Sequence, residues 1–594
     1  MIQQNYETHT NCYVFKIKQL KTKSNFLLMV KLGSFAFAAC FAYFSYFQPN
    51  SIHVSSMAVG FSAYLLSCFF DARCLKQIQQ LKAMKQVCTN ELEALQGNYT
   101  AFDDGERYIN PQHEFSFDLD IFGNASLYHR INRTVSQCGS DKLAHKLSHI
   151  ESDKDTITAN QAAIAELAAL PDWRIRFMAT PYIQSHLDTL DSYFEKSRFN
   201  NLLFTSFVPE ILVAVSLSIL LLCLTGVLPW MWFSTSFLIQ LFITILISKI
   251  ASKTSVDTAA LHKEYKGYLT LLNEVHQAQF QSAKLNQLKQ RLFGEENNSL
   301  QAFGKLSNIL NLFDQRNGVV LYVLLNGTVL FDVLLIKQFI RWNKTYLAHL
   351  QTWIDSLAEV DALTSLATYA ANYPENIYAE VLDNSSRVLL KTSRVFHPFL
   401  KRKKAVPNDF ILNKENVAII TGANMAGKST FLRTIGINYL LATTGAPVCA
   451  ASFQFSLVSL FSSMRTSDNL SKDISYFNAE LLRLKQLIQH VKSHAYTLII
   501  LDEILKGTNS KDKLEGSVLF LQEITRHPVS ALIATHDLEL SKMEDQAPEV
   551  YHNYRFEIEL SEDIQQIKYA YKIQEGVAQN LNASYLLRNI LKTL

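Results

Sequence analysis

The sequence lacks the cysteine pattern of a metal-binding or disulfide-stabilised protein. Its eight cysteines form no Cys-x-x-Cys pair and have no histidine cluster beside them. Neither a zinc site nor a disulfide framework is therefore predicted, and a reducing cytosol suits the soluble parts. The chain also lacks a charge imbalance, since a formal net charge of +3 at pH 7 favours no class of partner. With 594 residues it is too long for one hydrophobic core, and we expect about three to five domains or segments.

Long apolar runs are present, and two of them lie near the N-terminus. They cover Phe26 to Phe47 and Ile52 to Phe70, and at about 1.5 Å per residue each can cross a bilayer core of about 30 Å. A cleaved signal peptide is the alternative. It is disfavoured because the first run is too long, no small-residue cleavage site is evident and a second apolar run follows at once. We predict a transmembrane hairpin over residues 1–72 and an amphipathic helical continuation from Leu75 to Leu95.

A second pair of apolar runs, Phe207 to Leu228 and Trp230 to Ile247, predicts another transmembrane hairpin over residues 201–250. Lysines and arginines flank the hairpins, whereas the turns at 48–51 and 226–229 contain none. By the positive-inside rule, this asymmetry places both chain ends in the cytoplasm. We therefore expect a multi-pass membrane protein with four spans.

One further apolar run, Gly318 to Ile336, contains Asn326 and Asp332. An unpaired aspartate in the middle of a bilayer costs about 3 kcal/mol. We therefore predict a buried core helix here, with a fifth span as the alternative. The following residues, 342–373, are expected to form two polar-faced helices.

The C-terminal third contains a phosphate-binding loop. Residues 419–430 have the pattern of a buried strand, a G-x-x-x-x-G-K-[ST] loop and a helix that starts at Ser429. In such a loop, backbone N–H groups and the positive end of the helix hold phosphates. Lys428 would reach the β and γ oxygens, and the Ser429 hydroxyl would ligate Mg²⁺. The alternative is a chance glycine-rich turn, which is disfavoured because partner motifs follow at workable spacing.

Two acidic residues end the next long apolar run, which starts at Thr497. This is the pattern of a Walker B strand: Asp502 is predicted to hold Mg²⁺ through water, and Glu503 to polarise the attacking water. A third strand, 530–535, ends in His536, which is predicted to sense the γ-phosphate. The alternatives are solvated acids at a strand end and a histidine that is merely a satisfied polar group. Together the three motifs predict a P-loop ATPase with ATP as substrate and Mg²⁺ as cofactor.

The same segments resemble the MutS family of DNA mismatch-repair ATPases. TGANMAGKSTFLR, DEILKGTNSKD and IATHDLEL are similar to three family motifs, with Ala423 and Ala426 where Pro and Gly are typical. Ser475-Tyr-Phe, followed by Glu480, resembles the family's signature loop, although the expected Gly and Arg before the serine are replaced. In that family this serine acts on the partner's nucleotide. The resemblance therefore implies a homodimer with two composite sites.

The resemblance extends more weakly to residues outside the ATPase motifs. Residues 117–134 and the predicted helices Asp141–His149 and Asn160–Leu170 match the order of the family's helical core. Val406-Pro407 resembles the family's approach to the adenine site, with Ala405 in place of the usual stacking aromatic. The family's N-terminal mismatch-reading domain, with its Phe-x-Glu wedge, has no counterpart, since we interpret Phe293-Gly-Glu295 as a chance match.

The fold class expected from these observations is an α/β P-loop NTPase domain, ABC-like and of MutS type, at the C-terminus. A mainly α-helical core with inserted transmembrane hairpins precedes it. The predicted catalytic residues are Lys428, Glu503 and His536. The predicted nucleotide-binding residues are Gly422, Ala423, Asn424, Met425, Ala426, Gly427, Lys428, Ser429, Thr430, Ser475 and Val406, and the predicted metal ligands are Ser429 and Asp502. The predicted segments are 1–72 (hairpin), 73–200 (start of the core), 201–250 (hairpin), 251–390 (core), 391–575 (ATPase domain) and 576–594 (dimerisation helix, alternatively packed on its own domain).

Two functions stay open at this point. The first is a membrane-anchored, dimeric MutS-like ATPase, with its ATPase domain in the cytoplasm. By family resemblance it would bind mismatched or structured double-stranded DNA and act in repair. The second is an ATP-driven membrane-remodelling or transport-like machine that does not bind DNA. The sequence does not distinguish them, because no basic, aromatic-interleaved face is evident.

Overall fold

A computed structural model describes most of the chain. The described residues are 2–48, 50–184, 206–251, 258–296, 298–315, 319–383, 385–400, 404–465, 476–507, 509–559 and 568–579. Ser475 and most of the predicted dimerisation helix, 580–594, lie outside these residues. Their predicted roles are therefore left as predictions.

Two long helices form the N-terminal hairpin. Helix α1 covers Ile2–Phe47 and helix α2 covers Ser51–Gln96, and Asn50 caps α2 by accepting a hydrogen bond from the Ile52 N–H. Lys31 interrupts the first apolar run, and it forms an ion pair with Asp71 of α2. This pairing neutralises the one cation inside the run. The continuation to Leu95, predicted from helical spacing, is part of the same unbroken α2.

A helical core follows the hairpin. Its first helices are α3 (Leu127–Ile131), α4 (Gln137–Ser148), α5 (Lys154–Ala168) and α6 (Pro171–Met178). After two apolar helices, α7 (Val208–Leu224) and α8 (Trp230–Ala251), come α9 (Thr258–Gln277), α10 (Ala283–Phe293), α11 (Ser299–Gln315), α12 (Val319–Val329) and α13 (Phe331–Asn372). Helix α13 runs for 42 residues, so the prediction of two helices over 342–373 is wrong.

The polar residues of the run from 318 to 336 predicted one buried core helix, and this prediction is wrong. Helices α12 and α13 meet at a bend of 74°, where Leu330 has a positive φ of 47°. Side chains of α12 are exposed, Val320 by 74%, and the helix packs on α7 and α8. Gly327 permits this approach, because a Cβ there would lie 2.3 Å from the Phe237 ring. The apolar surface of α12 thus joins that of the second helix pair.

Length and composition identify the described helices that could cross a membrane. Among the described residues, α1 and α2 are long and apolar enough, and the bent pair α12–α13 counts as a third candidate if it forms one span. Helices α7 and α8 are shorter apolar helices. The four-span arrangement is therefore still a prediction.

The C-terminal region combines two sheets with flanking helices. Its strands are β1 (Glu380–Val381), β2 (Val388–Val395), β3 (Asn408–Asn413), β4 (Val417–Gly422), β5 (Ser452–Phe455), β6 (Ser459–Ser463), β7 (Thr497–Asp502), β8 (Val529–Thr535), β9 (Tyr551–Glu559) and β10 (Lys568–Glu575). Its helices are α14 (Lys428–Thr444), α15 (Tyr476–Ser493), α16 (Ser510–Ile524) and α17 (Met543–Gln546). The described strands form a sheet of order β1-β5-β2-β3 and a sheet of order β10-β9-β4-β8-β7-β6.

The second sheet carries the motifs. Strands β9, β4, β8, β7 and β6 pair in parallel, and β10 pairs with β9 in the antiparallel sense. Strands β4 and β8 are buried at every position, as expected of a parallel sheet covered on both faces.

Asp118 and Asp120 attach the core to this domain: Asp118 accepts from the Ser462 hydroxyl at 3.0 Å, and Asp120 pairs with Arg433 and Arg465.

Candidate nucleotide-binding site

Three neighbouring strands end at one edge of the second sheet. Strand β8 lies between β4 and β7, with Thr421 paired to Thr535 and Asp502 paired to Ala534. The carboxyl ends of the P-loop strand, the histidine strand and the Walker B strand therefore meet. This topology brings together residues that are up to 108 positions apart in the chain.

The loop after β4 has the backbone geometry of an anion cradle. Met425 and Gly427 have φ angles of 65° and 111°, and Gly427 caps the N-terminus of α14. The positive φ favours glycine at position 427, and a Cβ there would also be in tight contact with the Tyr571 ring, at 3.0 Å. In a loop of this kind, successive N–H groups and the positive end of the following helix can hold an anion.

Lys428 is the buried cation of the site. Its Nζ donates to the carbonyl oxygens of Gly422 at 2.7 Å and Ala423 at 3.0 Å. Burial lowers the pKa of Lys428 to about 8, and the negative charges of Asp502 and Glu503 oppose this shift only in part. Among the described residues no carboxylate forms an ion pair with this amine. A phosphate group would supply the missing negative charge.

Glu503 and His536 lie beside Lys428. The His536 ring is 3.4 Å from Lys428 Nζ, and its Nε2 is 3.2 Å from Glu503 Oε1. Lys513 Nζ lies 3.3 Å from the other Glu503 oxygen. Burial lowers the pKa of His536, and the nearby Lys428 charge adds to that effect. His536 thus sits as a neutral ring between the cation of the P-loop and the carboxylate of β7.

The backbone of Glu503 fixes this arrangement. Glu503 has a positive φ of 63°, and its N–H donates to the Ala534 carbonyl at 2.9 Å. Such a conformation is uncommon outside glycine and is retained where surrounding contacts impose it. The bend after Asp502 therefore directs the carboxylate toward β8.

The remaining predicted residues divide by exposure. Asn424, Met425, Ser429 and Thr430 are exposed on the open side of the loop, whereas Ala423 and Ala426 are buried beneath it. The methyl groups of Ala423 and Ala426 are accommodated there, with the Ala426 N–H donating to the Ala423 carbonyl at 3.3 Å. Among the described residues, no group of three or more His, Cys, Asp or Glu could hold a metal ion. Ser429 and Asp502 nevertheless suit Mg²⁺, which takes few protein ligands and keeps water and phosphate oxygens.

Tyr571 is a site residue that the sequence reasoning missed. It lies on β10, is 43% exposed and contacts the loop at Gly427. Asn408 holds this strand, since its Nδ2 donates to the Tyr571 carbonyl at 3.0 Å and its Oδ1 accepts from the Ile573 N–H. Val406 is half-buried two residues before Asn408. The alternating pair Tyr569 and Tyr571, whose rings stack at 5.7 Å, is the sequence signal for such a surface.

Glu480 stabilises a loop within its own domain. This buried carboxylate accepts hydrogen bonds from the N–H groups of Lys506 and Gly507, each at 3.1 Å. It therefore holds the loop that follows β7 and Glu503. Glu480 belongs to the segment that resembles the family's signature loop, and these two hydrogen bonds explain the need for a carboxylate at that position.

Comparison with known proteins matches the region just described. Residues 418–588 match the family model described as MutS domain V. The chain is also similar to proteins named "DNA mismatch repair protein MutS". The one from Protochlamydia amoebophila is 32% identical over 231 residues, which cover 37% of this chain and 26% of that protein. The one from Thermotoga maritima is 30% identical over 230 residues, 38% of this chain and 28% of that protein.

The similarity is thus confined to one part of each sequence. The chain spans about a quarter of the length of the curated relatives it matches. The matched part contains the strands and loops that form the candidate site. The C-terminal α/β domain of this chain is therefore similar to domain V of MutS proteins.

Proposed function

We propose that this chain is a membrane-anchored ATPase of the MutS type that hydrolyses ATP with the help of Mg²⁺. The observation that supports this most strongly is the meeting of Lys428, His536 and Glu503 at one sheet edge. The His536 ring lies 3.4 Å from the buried Lys428 amine and 3.2 Å from the Glu503 carboxylate, which suits the positioning and charge stabilisation that phosphoryl transfer needs.

Each residue has a distinct proposed task. Lys428 leaves the Gly422 and Ala423 carbonyls to bind phosphate oxygens, and the loop N–H groups hold the remaining oxygens. Glu503 orients the attacking water, and His536 links its carboxylate to the phosphate end of the site. Ser429 and Asp502 are placed to hold Mg²⁺, which would supply positive charge against the phosphates when bound.

Membrane anchoring is proposed for the hairpin of α1 and α2. Exposed apolar side chains cover its distal half, and the ion pair of Lys31 with Asp71 removes the main charge cost of insertion. We place the ATPase domain on the cytoplasmic side, because the basic residues flank the apolar runs and are absent from the turn.

The foot of the hairpin is built into the core. Glu91 forms a buried ion pair with Arg133, and it accepts from Asn372 Nδ2 at 2.7 Å. The Tyr6 hydroxyl donates to Asn372 Oδ1 at 2.9 Å. Asn372 ends α13, and Tyr369, one turn earlier, contacts Cys449 near the end of α14, at 3.7 Å. This continuity between hairpin and ATPase domain favours the second candidate, an ATP-driven membrane machine.

DNA binding and homodimer formation are proposed from the relatives and the resemblance. The matched relatives are named DNA mismatch repair proteins, and the site residues described above lie on one side of the place proposed for the phosphates. We propose that a second copy of the chain covers the other side through Ser475. Duplex, mismatched or branched DNA is the proposed partner of the dimer.

The two candidates differ in what stimulates hydrolysis. The test uses the full-length chain in nanodiscs, with ATP hydrolysis measured with and without homoduplex, mismatched and branched DNA at several salt concentrations. DNA binding that falls steeply with salt, together with faster hydrolysis, supports the repair-type function. Hydrolysis that depends on lipid composition and ignores all three DNAs supports the membrane machine.

A further inference from the structure

Eight exposed cations surround the hairpin below its apolar half. They are Lys16, Lys18, Lys21, Lys23, Arg73, Lys76, Lys82 and Lys85, and we call them the basic collar. In the part of the chain that the structure describes, none of the eight forms an ion pair. Residues 8–30 and 72–90 contain no aspartate or glutamate. Of the three flanking carboxylates, Asp71 and Glu91 are already paired with Lys31 and Arg133, and Glu7 accepts a hydrogen bond from Gln3. The collar therefore carries positive charge that no ion pair within the described residues neutralises.

The collar is continuous with the apolar runs. Lys23 and Arg73 are each three residues from the nearest apolar run, about 4.5 Å along the helix axis. The Arg73 guanidinium lies 4.2 Å from the centroid of the Phe69 ring, an arrangement that suits the border between an apolar and a polar layer. At the same spacing, Lys16 and Lys85 lie about 15 Å and about 22 Å beyond the runs. If the apolar runs enter the bilayer, Lys23 and Arg73 therefore lie at the depth of the lipid headgroups, and the rest of the collar lies farther from the bilayer core.

A groove between the two helices adds a specific site to this general charge. It has a volume of about 460 Å³. Lys16 and Lys23 of α1 are two turns apart on one helix face, so both amines line the groove. Gln77 and Gln80 of α2 supply amide groups opposite them, and Leu20, Leu81 and Met84 supply apolar surface. The groove thus combines phosphate-binding donors with apolar contacts.

We propose that this groove and the basic collar bind the headgroups of anionic phospholipids, with the lipid phosphate at Lys16 and Lys23. The proposal rests on the proposed membrane anchoring of the hairpin. Charge complementarity and the nearby apolar runs favour a lipid over a nucleic acid.

The test measures which lipids stay bound to the intact chain. Full-length protein is reconstituted in nanodiscs with equal amounts of phosphatidylcholine and phosphatidylglycerol, and retained lipids are counted by native mass spectrometry. We expect the wild type to retain mainly phosphatidylglycerol, and the variant K16Q/K23Q to lose this preference about tenfold. Higher salt during reconstitution should weaken the preference, because it screens the collar. The control variant K391Q/K492Q removes the same charge from exposed lysines of the ATPase domain and should retain lipid as the wild type does.

Other outcomes would overturn the proposal. Equal phosphatidylglycerol retention by wild type and K16Q/K23Q would contradict the groove assignment. Loss of duplex DNA binding in K16Q/K23Q, with lipid retention unchanged, would assign the surface to nucleic acid. Extraction of the wild type from membranes by alkaline carbonate would overturn the anchoring as well. A chain that resists extraction and shows no anionic preference would overturn this inference alone.

Discussion

Two clusters of charged residues, one at the hairpin foot and one at the P-loop, differ in how completely they are paired. At the foot, Glu91 and Arg133 are 1% and 6% exposed, and Glu91 also accepts from Asn372. At the P-loop, Lys428 is buried with only carbonyl partners and a histidine, and Ser429 beside it is exposed. In the first cluster the opposite charges of Glu91 and Arg133 pair with each other. In the second, Lys428 has no anionic partner among the described residues. The difference separates a structural charge cluster from a binding site.

Breaking the foot cluster should have the largest effect on stability. Arg133→Met leaves Glu91 buried without its cation, and this costs about 3–5 kcal/mol of unfolding free energy. The double variant Glu91→Met/Arg133→Met removes both charges, so it should recover most of the loss. Thermal unfolding of the detergent-solubilised chain measures both effects. A single variant as stable as the wild type would show that the foot is not a closed charge cluster.

A smaller loss of stability is expected when a larger residue at position 139 crowds the carboxylate of Asp361. Asp361 of α13 accepts from the Ser136 hydroxyl at 2.6 Å, and a Cβ at Gly139 would lie 2.1 Å from its Oδ2. Gly139→Ala should therefore displace this carboxylate and cost about 1–3 kcal/mol. Gly304→Ala is the matched control, because a Cβ there meets nothing within 4 Å, and its helix should be unchanged or slightly more stable. Equal unfolding temperatures for the two variants would argue against the close contact.

The incomplete pairing at the P-loop predicts a pH dependence of nucleotide binding. The pKa of Lys428 is lowered to about 8 without ligand, and phosphate raises it again. Above pH 8 the free amine is neutral while the bound amine is charged, so binding takes up a proton. Affinity should then fall by up to about tenfold per pH unit above this value. Calorimetry in two buffers of different ionisation enthalpy measures the proton uptake.

Lys428→Arg serves as the control for this prediction. An arginine stays protonated throughout this range, so any nucleotide binding that remains should show no proton uptake. Uptake of the same size in both proteins would place the titrating group elsewhere.

Local patterns in the sequence predicted the strands that carry the candidate site. The apolar runs before Gly422, Asp502 and His536 indicated buried parallel strands, and the structure forms β4, β7 and β8 there. The contact of His536 with Glu503 depends on strand order, which no local pattern encodes. Tyr571 was missed for the same reason, because its place beside Gly427 comes from the pairing of β10 with β9.

The helical region was predicted less well. Polar residues in the run from 318 to 336 suggested burial, but they accompany a bend at Leu330 that leaves α12 partly exposed. Asn326 Oδ1 accepts from the Asp332 N–H at 2.9 Å across this bend. Asn326 and Asp332, whose polarity argued against a membrane span, thus hydrogen-bond to each other across the bend. Periodicity alone cannot show such a tertiary use of polar side chains.

The most direct test of the central claim separates nucleotide binding from hydrolysis in the full-length chain. Phosphate release and binding of a fluorescent ATP analogue are measured for wild type, Lys428→Ala, Glu503→Gln and the exposed control Glu515→Gln. We expect Lys428→Ala to lose binding, and Glu503→Gln to bind within about threefold of the wild type but to hydrolyse at least about a hundredfold more slowly. Glu515→Gln should match the wild type in both assays. Hydrolysis by Glu503→Gln at the wild-type rate would contradict the assignment of Glu503 and the account built on the meeting of the three strand ends.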